Sequence, residues 1–502
     1  MRSVALLALA SVVSAGHISV PFSRQSFDNS HARRAALRKR QDDSEPFALE
    51  ALNNITGGGY YSEFAVGTPP QQISFLLDTG SSDTWVNIDP DESSTFETVD
   101  VDFDIQYLDR RRIQGEYFED TVTFGDVEVT EQRMGLALQS VRPTGIMGLG
   151  FSVNVASIRE YPTIVDNLVD QGHIDTAAYS LYLNDIDTDA GALLFGGIDR
   201  EKFIGSLATL PLQSDALGGT SQITSFNIDI QGFDVVSPDG ERTVDIPNLD
   251  SLAILDSGST ISLLPDDQVQ ELWDEFGVLS FIDVLAPFVD CAYRGEKGQG
   301  YTFEFRFDGK TIRVPMDEMV IDAYSDLQDI FMDDPTLNQF FGDWEGACMF
   351  GIGSTADFGI NDDQFTLLGA TFLRSAYVVY DLANQQLGLA QANLNSTDTD
   401  IVDIEEGDLP DVTGVESQSS SSTPTSSAST TSTEATTTIT STEATTTTAT
   451  EEATATETDD GDDGDDQADD NTGDEGDDED AGVRLIPSLL AAVALSALML
   501  VL

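Results

Sequence analysis

Basic side chains are scarce in this 502-residue chain. Lysine and arginine together number 23 against 89 aspartates and glutamates, which gives a formal net charge of −66. Because a nucleic-acid interface needs clustered cations to neutralise phosphates, this composition argues against a nucleic-acid partner. Residues 42–400 alone contain 63 acidic and 15 basic residues, a net charge of −48. A field of this sign favours cationic substrates, and it suits acidic surroundings, where protonation of carboxylates reduces self-repulsion.

Histidine and cysteine are also nearly absent. The histidines are His17, His31 and His173, and the chain has neither an HExxH nor a GxSxG motif. A zinc protease and a Ser/His hydrolase are therefore disfavoured, and no metal or other cofactor is expected. The two cysteines are Cys291 and Cys348. In a secreted protein they most simply form one disulfide that closes a long loop; the alternative is two unrelated buried thiols.

The first forty residues have the features of targeting and processing segments. Residues 1–16 contain Arg2, then an apolar run and a Ser-Ala-Gly end, which is typical of a secretory signal peptide. Residues 17–40 are basic and end in Arg-Lys-Arg, a sequence that a kexin-like processing protease can cut. We interpret 17–40 as a propeptide that docks electrostatically on the acidic body before it is removed. The alternative is a plain basic linker.

The C-terminal end reads as a spacer followed by an anchor signal. Residues 401–482 are interpreted as a stalk, Ser/Thr-rich and then acidic, because their composition cannot bury a core and resembles an O-glycosylated spacer. Residues 483–502 are a hydrophobic tail. Small residues around Asn471 precede the tail, so the pattern predicts a glycosylphosphatidylinositol (GPI) signal with Asn471 as a candidate attachment residue. The alternative is a tail-anchoring helix. Either form attaches the body to the cell membrane or wall.

The remaining body, 41–400, contains short runs such as YTFEFRFDG and AYVVYDL between turn residues. Alternation with a period of two predicts a mostly β domain. The best helical patterns are 156–171 and 266–276. The acceptor motifs at Asn54 and Asn395 predict N-glycosylation near both ends of the body.

One pattern occurs twice in the body. LLDTGSS places Asp78 after two leucines and before a Gly/Ser turn, and ILDSGST repeats this arrangement at Asp256. Each turn has a later glycine partner, GIMGLG at 145–150 and TLLGAT at 366–371, where glycine lets another backbone approach closely. A single copy would be a weak signal, because Asp and Gly are ordinary turn residues. Two copies with partners indicate an internal duplication in which each half supplies one carboxylate.

Paired carboxylates can hydrolyse a peptide bond without a metal or a covalent nucleophile. One ionised carboxylate takes a proton from water, while the other carboxyl is protonated and polarises the scissile carbonyl. Two carboxyls about 3 Å apart do not ionise independently, so the pair shares one proton. The duplicated turns therefore predict a peptidase.

The residues around both turns resemble the pepsin family of aspartic proteases, and the anchored chain is similar to the fungal GPI-anchored yapsin type. The resemblance covers about residues 58–394 and includes YYSEFAVGTPPQQISFLLDTGSSDTWV, FGGIDREKFIGSLATLPL and LLGATFLRSAYVVYDLANQQLGLA. It implies a mostly β, bilobal pepsin-like fold with two related six-stranded-type lobes, 41–212 and 213–400. The active-site cleft would lie between these lobes.

The resemblance also implies roles for individual residues. Asp78 and Asp256 would be the catalytic pair, and Thr79 and Ser257 would brace the two turns against each other. Ser81 and Ser259 would hydrogen-bond the carboxylates. The supporting residues are Thr79, Gly80, Ser81, Ser257, Gly258 and Ser259.

A β-hairpin flap covers the cleft in this family, and residues 103–122 occupy the corresponding place. Tyr107 aligns with the flap tyrosine, and Trp85 is its expected hydrogen-bond partner; the alternative for Tyr107 is an ordinary strand aromatic. Asp109 stands where some members have an aspartate that faces a lysine or arginine just before the scissile bond. Three arginines at 110–112 replace the usual small residues of the tip and oppose this interpretation.

Two further departures concern the lobes. Ala370 stands where the family often has an aspartate, which lies outside the pair, and the N-terminal lobe has no cysteine pair. The favoured hypothesis is a monomeric, acid-tolerant endopeptidase at the cell surface that acts on peptide or protein substrates and prefers basic ones. The alternatives are a catalytically silent binding protein, which should have lost an Asp or the flap Tyr, and a structural wall glycoprotein.

Overall fold

The computed structural model describes residues 12–14, 16–26, 58–107, 112–139, 144–188, 190–214, 222–246, 249, 251–281, 284–324, 328–333, 338–360 and 364–416. These residues all belong to one compact unit. They are mostly β, as the sequence predicts. Within the described ranges, none of the helices is both long and apolar enough to span a membrane.

Strands form most of the regular structure. In chain order the strands are β1 (Val12–Ser14), β2 (His17–Ser26), β3 (Gly58–Val66), β4 (Gln71–Asp78), β5 (Trp85–Val86), β6 (Glu97–Gln106), β7 (Arg112–Phe124), β8 (Val127–Gln139), β9 (Gly145–Gly148), β10 (Ala178–Tyr182), β11 (Ala190–Phe195), β12 (Gly197–Asp199), β13 (Phe203–Pro211), β14 (Asn227–Ile230), β15 (Gly232–Val236), β16 (Arg242–Ile246), β17 (Ser251–Leu255), β18 (Ser262–Leu264), β19 (Leu279–Phe281), β20 (Val284–Asp290), β21 (Thr302–Phe307), β22 (Lys310–Pro315), β23 (Val320–Ile321), β24 (Ala347–Phe350), β25 (Ile352–Ser354), β26 (Phe365–Leu368), β27 (Ala376–Asp381), β28 (Gln386–Ala392) and β29 (Ile401–Asp403).

Helices are short in the described part of the chain. The α-helices are α1 (Ile164–Asp170), α2 (Asp266–Phe276), α3 (Gln328–Asp333), α4 (Asn338–Phe341) and α5 (Ala370–Leu373). The helix predicted at 266–276 is confirmed. The helix predicted at 156–171 begins only at Ile164, because Pro162 disfavours the helical conformation in the preceding residue and Thr163 starts the helix with a capping box.

The largest sheet of the described residues has 14 strands in the order β13-β28-β27-β10-β11-β2-β3-β4-β9-β5-β8-β7-β6, and β1 pairs with β2. Its first part, the inter-lobe strands, combines β10 and β11 from the first half of the body with β27 and β28 from the second half. The smaller sheets are β14-β17-β26-β18-β25, β16-β15-β21-β22, β19-β20-β24-β23 and β12-β29. The two halves are therefore joined by shared strands, as expected for a bilobal fold.

The duplicated pattern of the sequence is a duplicated structure. β4 pairs in parallel with β9, and β17 pairs in parallel with β26, so each aspartate turn lies beside its predicted glycine segment. A Cβ atom on Gly148 would lie 2.4 Å from the main chain of Ser82, and one on Gly369 would lie 2.2 Å from the Ile261 carbonyl oxygen. Any larger residue would collide with these backbones, which confirms the reason for glycine at both positions.

The two cysteines form the predicted disulfide. Cys291 and Cys348 are bonded, with their Cα atoms 5.0 Å apart. Cys291 follows the end of β20, and Cys348 lies in the neighbouring strand β24. The bond therefore fastens two strands that already pair within the second half.

The folded body continues past the boundary predicted at residue 400. β29 pairs with β12, and the Val415 N–H donates to the Phe203 carbonyl over 2.9 Å. We name residues 393–416 the C-terminal strap. The folded body is longer than predicted, because apolar side chains along the strap bury one of its sides. These side chains are Ile404, Leu409 and Val412.

The strap covers the face of the inter-lobe strands that points away from the aspartate turns. Along β27, Tyr377 and Val379 pack with the strap, whereas Tyr380 packs in the main core. Tyr380 stacks on Tyr179 of β10 with ring centroids 4.9 Å apart, on the side where the charges of Asp256 and Asp78 act on it. Since side chains alternate between the two faces of a strand, the strap closes the rear of the same strands that support the turns.

Truncating the strap's most buried side chain should destabilise the whole body. Ile404 is fully buried among residues of both halves, so Ile404→Ala in the full-length protein should cost about 2–4 kcal/mol of unfolding free energy. Urea unfolding followed by tryptophan fluorescence measures this cost. The matched control is Glu405→Ala at the exposed neighbouring position, which should stay within about 0.5 kcal/mol of the parent. Equal stability of both variants would show that the strap frays independently of the body.

Candidate active site

The two aspartate turns meet where β4 and β17 end. Asp78 and Asp256 are almost completely buried, at 0% and 1% exposure. A Cβ atom on Gly80 would lie 2.5 Å from the Asp256 carboxyl carbon. The first turn therefore approaches the second carboxyl so closely that only glycine fits at position 80.

Main-chain amides of each turn hold its own carboxyl group. The Gly80 N–H donates to Asp78 Oδ1 over 2.7 Å, and the Gly258 N–H donates to Asp256 Oδ1 over 2.8 Å. The Ser259 hydroxyl donates to Asp256 Oδ2 over 2.6 Å, as predicted. The two turns share the amide-to-carboxyl hydrogen bond, as expected for a duplicated structure.

The two turns differ in the hydrogen bonding of Ser81 and Ser259. The Ser81 hydroxyl, predicted to bond the Asp78 carboxylate, is buried and has no hydrogen-bond partner among the described residues. Its main-chain amide acts on Asp78 instead, beside the amide of Gly80. The prediction therefore named the wrong group of Ser81, which acts on Asp78 through its amide and not through its hydroxyl.

Thr79 and Ser257 brace the two turns against each other, which confirms the predicted contact. The Thr79 amide donates to Ser257 Oγ over 3.1 Å, and the Ser257 amide donates to Thr79 Oγ1 over 2.9 Å. Each hydroxyl then donates to a carbonyl of the opposite half, Thr79 to Leu255 over 2.9 Å and Ser257 to Leu77 over 2.8 Å. All four bonds are buried, so they fix the relative position of the two carboxyls.

Burial dominates the electrostatics of the pair. It raises the pKa of Asp78 well above the usual range, and the charge of the neighbouring Asp256 raises that pKa further. Burial also raises the pKa of Asp256, but the Ser259 hydroxyl and the Gly258 amide act in the opposite direction. The pair therefore retains a proton at pH values where exposed aspartates are ionised. One neutral and one ionised carboxyl side by side can act as an acid and a base together.

The hairpin of β6 and β7 stands beside the turns. The indole N–H of Trp85 donates to the Tyr107 hydroxyl over 2.5 Å, which is the hydrogen bond that the sequence predicts. Tyr107 is 2% exposed and packs in one cluster with Trp85 and Phe103. Asp109 and the arginines at 110 and 111 lie outside the described residues.

The third arginine of the predicted tip is bound to an acid on its own hairpin. Arg112 Nε donates to Asp104 Oδ1 over 2.5 Å, and its Nη2 bonds the other carboxylate oxygen. These bonds lower the pKa of Asp104. Asp104 alternates along β6 with the buried residues Phe103 and Ile105, so the pair lies on the outer face of the hairpin.

Sequence reasoning missed a third buried carboxyl near the first turn. Asp83 is 1% exposed, and it accepts hydrogen bonds from the hydroxyls of Tyr117 and Tyr161. Its signal in the sequence was an acidic residue two positions before the buried strand β5, in the run SSDTWV. The partners carried no signal, because they are distant in the chain.

The remaining predicted residues lie away from the turns or outside the described ranges. Asn395 is exposed on the strap, where its side-chain oxygen accepts a bond from Thr188 over 2.7 Å. Asn54 and Asn471 lie outside the described residues. Within those residues there is no group of three or more His, Cys, Asp or Glu side chains that could hold a metal ion.

Comparison with known proteins identifies relatives of the whole body. Residues 59–392 match the family model described as eukaryotic aspartyl protease. The probable aspartic-type endopeptidase OPSB of Arthroderma benhamiae is 32% identical over 420 residues, which cover 78% of this chain and 79% of the relative. The probable aspartic-type endopeptidase opsB of Aspergillus fumigatus is 31% identical over 414 residues (77% and 79%). Secreted aspartic protease 4 of Candida albicans is 28% identical over 378 residues (70% and 80%).

Proposed function

Because this chain belongs to the eukaryotic aspartyl protease family and is an aspartic-type endopeptidase, we propose that Asp78 and Asp256 are its catalytic pair. The observation that supports the proposal is the buried meeting of two braced turns, each with one carboxyl held by its own amides. Tyr107 is also in place beside Trp85. A silent binding protein on this scaffold should lack one of these three side chains.

The reaction follows from one proton shared by two carboxyls. The ionised carboxyl removes a proton from a water molecule as the water oxygen attacks the scissile carbonyl carbon, and the neutral carboxyl donates its proton to the carbonyl oxygen. The tetrahedral intermediate then collapses as its C–N bond breaks. The carboxyl that gained the water proton passes it to the leaving nitrogen, and the other carboxylate takes a proton back from a hydroxyl of the intermediate as the C=O bond re-forms. The products are a carboxylic acid and an amine, and the pair again holds one proton.

The electrostatics of the pair support an acidic working range. Both carboxyls have raised pKa values, and the reaction needs one of them neutral. As the pH rises through the upper apparent pKa of the pair, the shared proton leaves and the neutral acid is lost. Activity should therefore decline toward neutral pH, where the net charge of −48 on residues 42–400 also increases self-repulsion.

Replacing either aspartate by asparagine should remove activity without unfolding the protein. Asp78→Asn and Asp256→Asn each destroy the shared-proton pair, so kcat should fall by about 10²–10⁴-fold or more. Hydrolysis of an unstructured peptide at acidic pH measures this loss, and circular dichroism checks the fold. Asp229→Asn, at an exposed position in β14, is the control and should retain full activity. Appreciable turnover by a folded Asp78 or Asp256 variant would contradict the mechanism.

We also propose a preference for lysine or arginine just before the scissile bond, through Asp109. The support is the sequence position of Asp109, two residues beyond Tyr107, together with the net charge of −48 on residues 42–400, which favours cationic substrates. Arg112 does not oppose a basic substrate there, because Asp104 binds it on the outer face. A carboxylate in a partly desolvated cleft makes a charge-assisted hydrogen bond to a cationic side chain.

Removing the Asp109 carboxylate should reduce this preference. Asp109→Ala should lower the ratio of cleavage after Lys or Arg to cleavage after Leu by roughly tenfold, the value of one hydrogen bond to a charged group. Cleavage of a peptide library by the wild type and the variant measures the ratio. Asp126→Ala, on the exposed turn between β7 and β8, changes the net charge equally and should leave the ratio unchanged. A wild-type preference for Phe or Leu that survives Asp109→Ala would refute the assignment.

The proposal that residues 17–40 are a propeptide is supported by β2. This strand pairs with β11 on one side and β3 on the other, and it buries Ile18, Val20 and Phe22. Its polar contacts include a bond of 2.5 Å between His17 Nδ1 and Asp403 Oδ1 of the strap. Docking thus uses sheet pairing and apolar burial as well as charge. Removal of β2 would leave the edges of two strands unpaired, so maturation requires another strand to take its place.

We further propose that the protein is secreted, glycosylated at Asn54 and Asn395, and anchored through a GPI group attached near Asn471. The exposure of Asn395 and the name of the Candida relative, a secreted protease, support the first two steps. The apolar residues 483–502 after a polar spacer support the third. The stalk between the strap and the attachment residue would hold the enzyme at the cell surface.

The termini of the mature protein test this processing. The N-terminus should lie close to Gln41, and the apolar residues 485–502 should be absent. Mass spectrometry of the protein released from cells by a phosphatidylinositol-specific phospholipase identifies both ends. Protein that resists the lipase and retains the tail would instead have a tail-anchoring helix, and an N-terminus at residue 17 would show that the basic segment is a linker.

A further inference from the structure

A third carboxyl joins the first aspartate turn to two other parts of the N-terminal half. Asp83 Oδ1 accepts hydrogen bonds from the Tyr117 hydroxyl over 2.7 Å and the Tyr161 hydroxyl over 2.6 Å. Asp83 Oδ2 accepts a bond of 2.7 Å from the Ala156 amide. Tyr117 lies in β7 of the hairpin, whereas Ala156 and Tyr161 lie in the loop before α1. One carboxyl group therefore connects the turn, the hairpin and the loop.

Neutral donors hold Asp83 in the described part of the chain, as neutral donors also hold the buried Asp381. The guanidinium of Arg133 lies over the Tyr161 ring, 5.4 Å from its centroid, and binds Glu119. The hydrogen bonds of the Asp83 carboxyl therefore come from two hydroxyls and one amide, and each of these donors ties it to another part of the chain.

The position of Asp83 relative to Trp85 suggests what the bonds do. Trp85 binds Tyr107, at the end of β6, and Asp83 binds Tyr117, on the return strand β7. Both tyrosines belong to one buried cluster with Trp85. The short run 83–85 continues directly from the turn that contains Asp78. It therefore holds the hairpin at two points, one on each strand.

We propose that Asp83 is a positioning residue that sets the distance between the Tyr107 hairpin and Asp78, with Trp85 as the second point of attachment. The proposal rests on the catalytic pair proposed above. Asp83 acts through Tyr117, and the hairpin in turn covers the bound peptide. Loss of the bond should therefore change substrate binding more than the chemical step.

The ionisation state of Asp83 changes the hydrogen bonding of the hairpin. A carboxylate accepts from all three donors, whereas a neutral carboxyl carries a proton that a tyrosine oxygen must accept, so one tyrosine hydroxyl has to turn.

Burial raises the pKa of Asp83, against the opposing effect of Tyr161, Ala156 and Tyr117. For an acid whose pKa is higher in the folded state, stability is greatest below the unfolded pKa. It declines as the pH rises from there to the folded pKa.

Kinetics of full-length variants test the positioning role. Asp83→Leu and Tyr117→Phe should raise KM roughly tenfold, the value of one hydrogen bond to a charged group, with a smaller change in kcat. Asp83→Asn keeps the shape and an acceptor oxygen, so its KM should stay within about threefold of the parent. Hydrogen exchange should accelerate in 97–124 for the first two variants. Tyr293→Phe, a half-buried tyrosine in the second half of the body, is the control and should change neither measurement.

The pH dependence of stability provides a readout that a simple packing role would not affect. Asparagine does not titrate at this position, so the Tm of Asp83→Asn minus that of the parent should increase between pH 3.5 and pH 7. A difference that is independent of pH, or a folded Asp83→Leu protein with unchanged KM and hairpin exchange, would overturn the proposal. If Asp83→Leu does not fold, Tyr117→Phe decides the kinetic test. Failure of the catalytic pair is distinguishable, because it would appear as activity in Asp78→Asn with hairpin exchange unchanged.

Discussion

The reciprocal bonds between Thr79 and Ser257 are the interaction on which the site depends. Each residue donates its amide to the other's hydroxyl, and each hydroxyl donates to a carbonyl of the opposite half. Two carboxyls can share a proton only if their separation is fixed to within a fraction of an ångström, and side-chain contacts alone rarely supply that precision. The brace supplies it from the backbone of both turns, so the acid–base pair is a property of the duplicated fold.

Burial gives the two carboxyls of this pair higher pKa values than those of exposed aspartates. Asp78 and Asp256 lose solvent and lie beside each other, and both effects keep a proton on the pair. Asp83 is buried next to them with neutral donors only in the described residues, so its charge is also disfavoured. Burial therefore raises the pKa of each of these acids. The high negative charge of the body agrees with an acidic working range for the pair, because self-repulsion decreases as carboxylates are protonated.

The inter-lobe strands connect the aspartate turns to the first and last strands of the described body. β2 lies between β11 and β3, and the strap packs against Tyr377 and Val379 on the rear of β27. His17 and Asp403 join these two segments directly. β2 and the strap are thus both attached to the sheet that the two halves share. The strap stays on this rear face as far as Val415, whose amide donates to the Phe203 carbonyl.

Much of this structure could be predicted from local sequence patterns and from the repeated Asp turn. The two Asp turns, their glycine partners, the disulfide and the helix at 266–276 follow from sequence, because each depends on residue type at fixed spacing or on the absence of other partners. The tertiary structure alone decided the donor at Ser81, the partners of Asp83 and the extent of the strap. These features depend on which residues from distant strands become neighbours, and alternation along one strand does not fix its register against another. Asp83 and Tyr117 are both ordinary residues in the sequence, and only the packed hairpin brings the hydroxyl within 2.7 Å of the carboxylate.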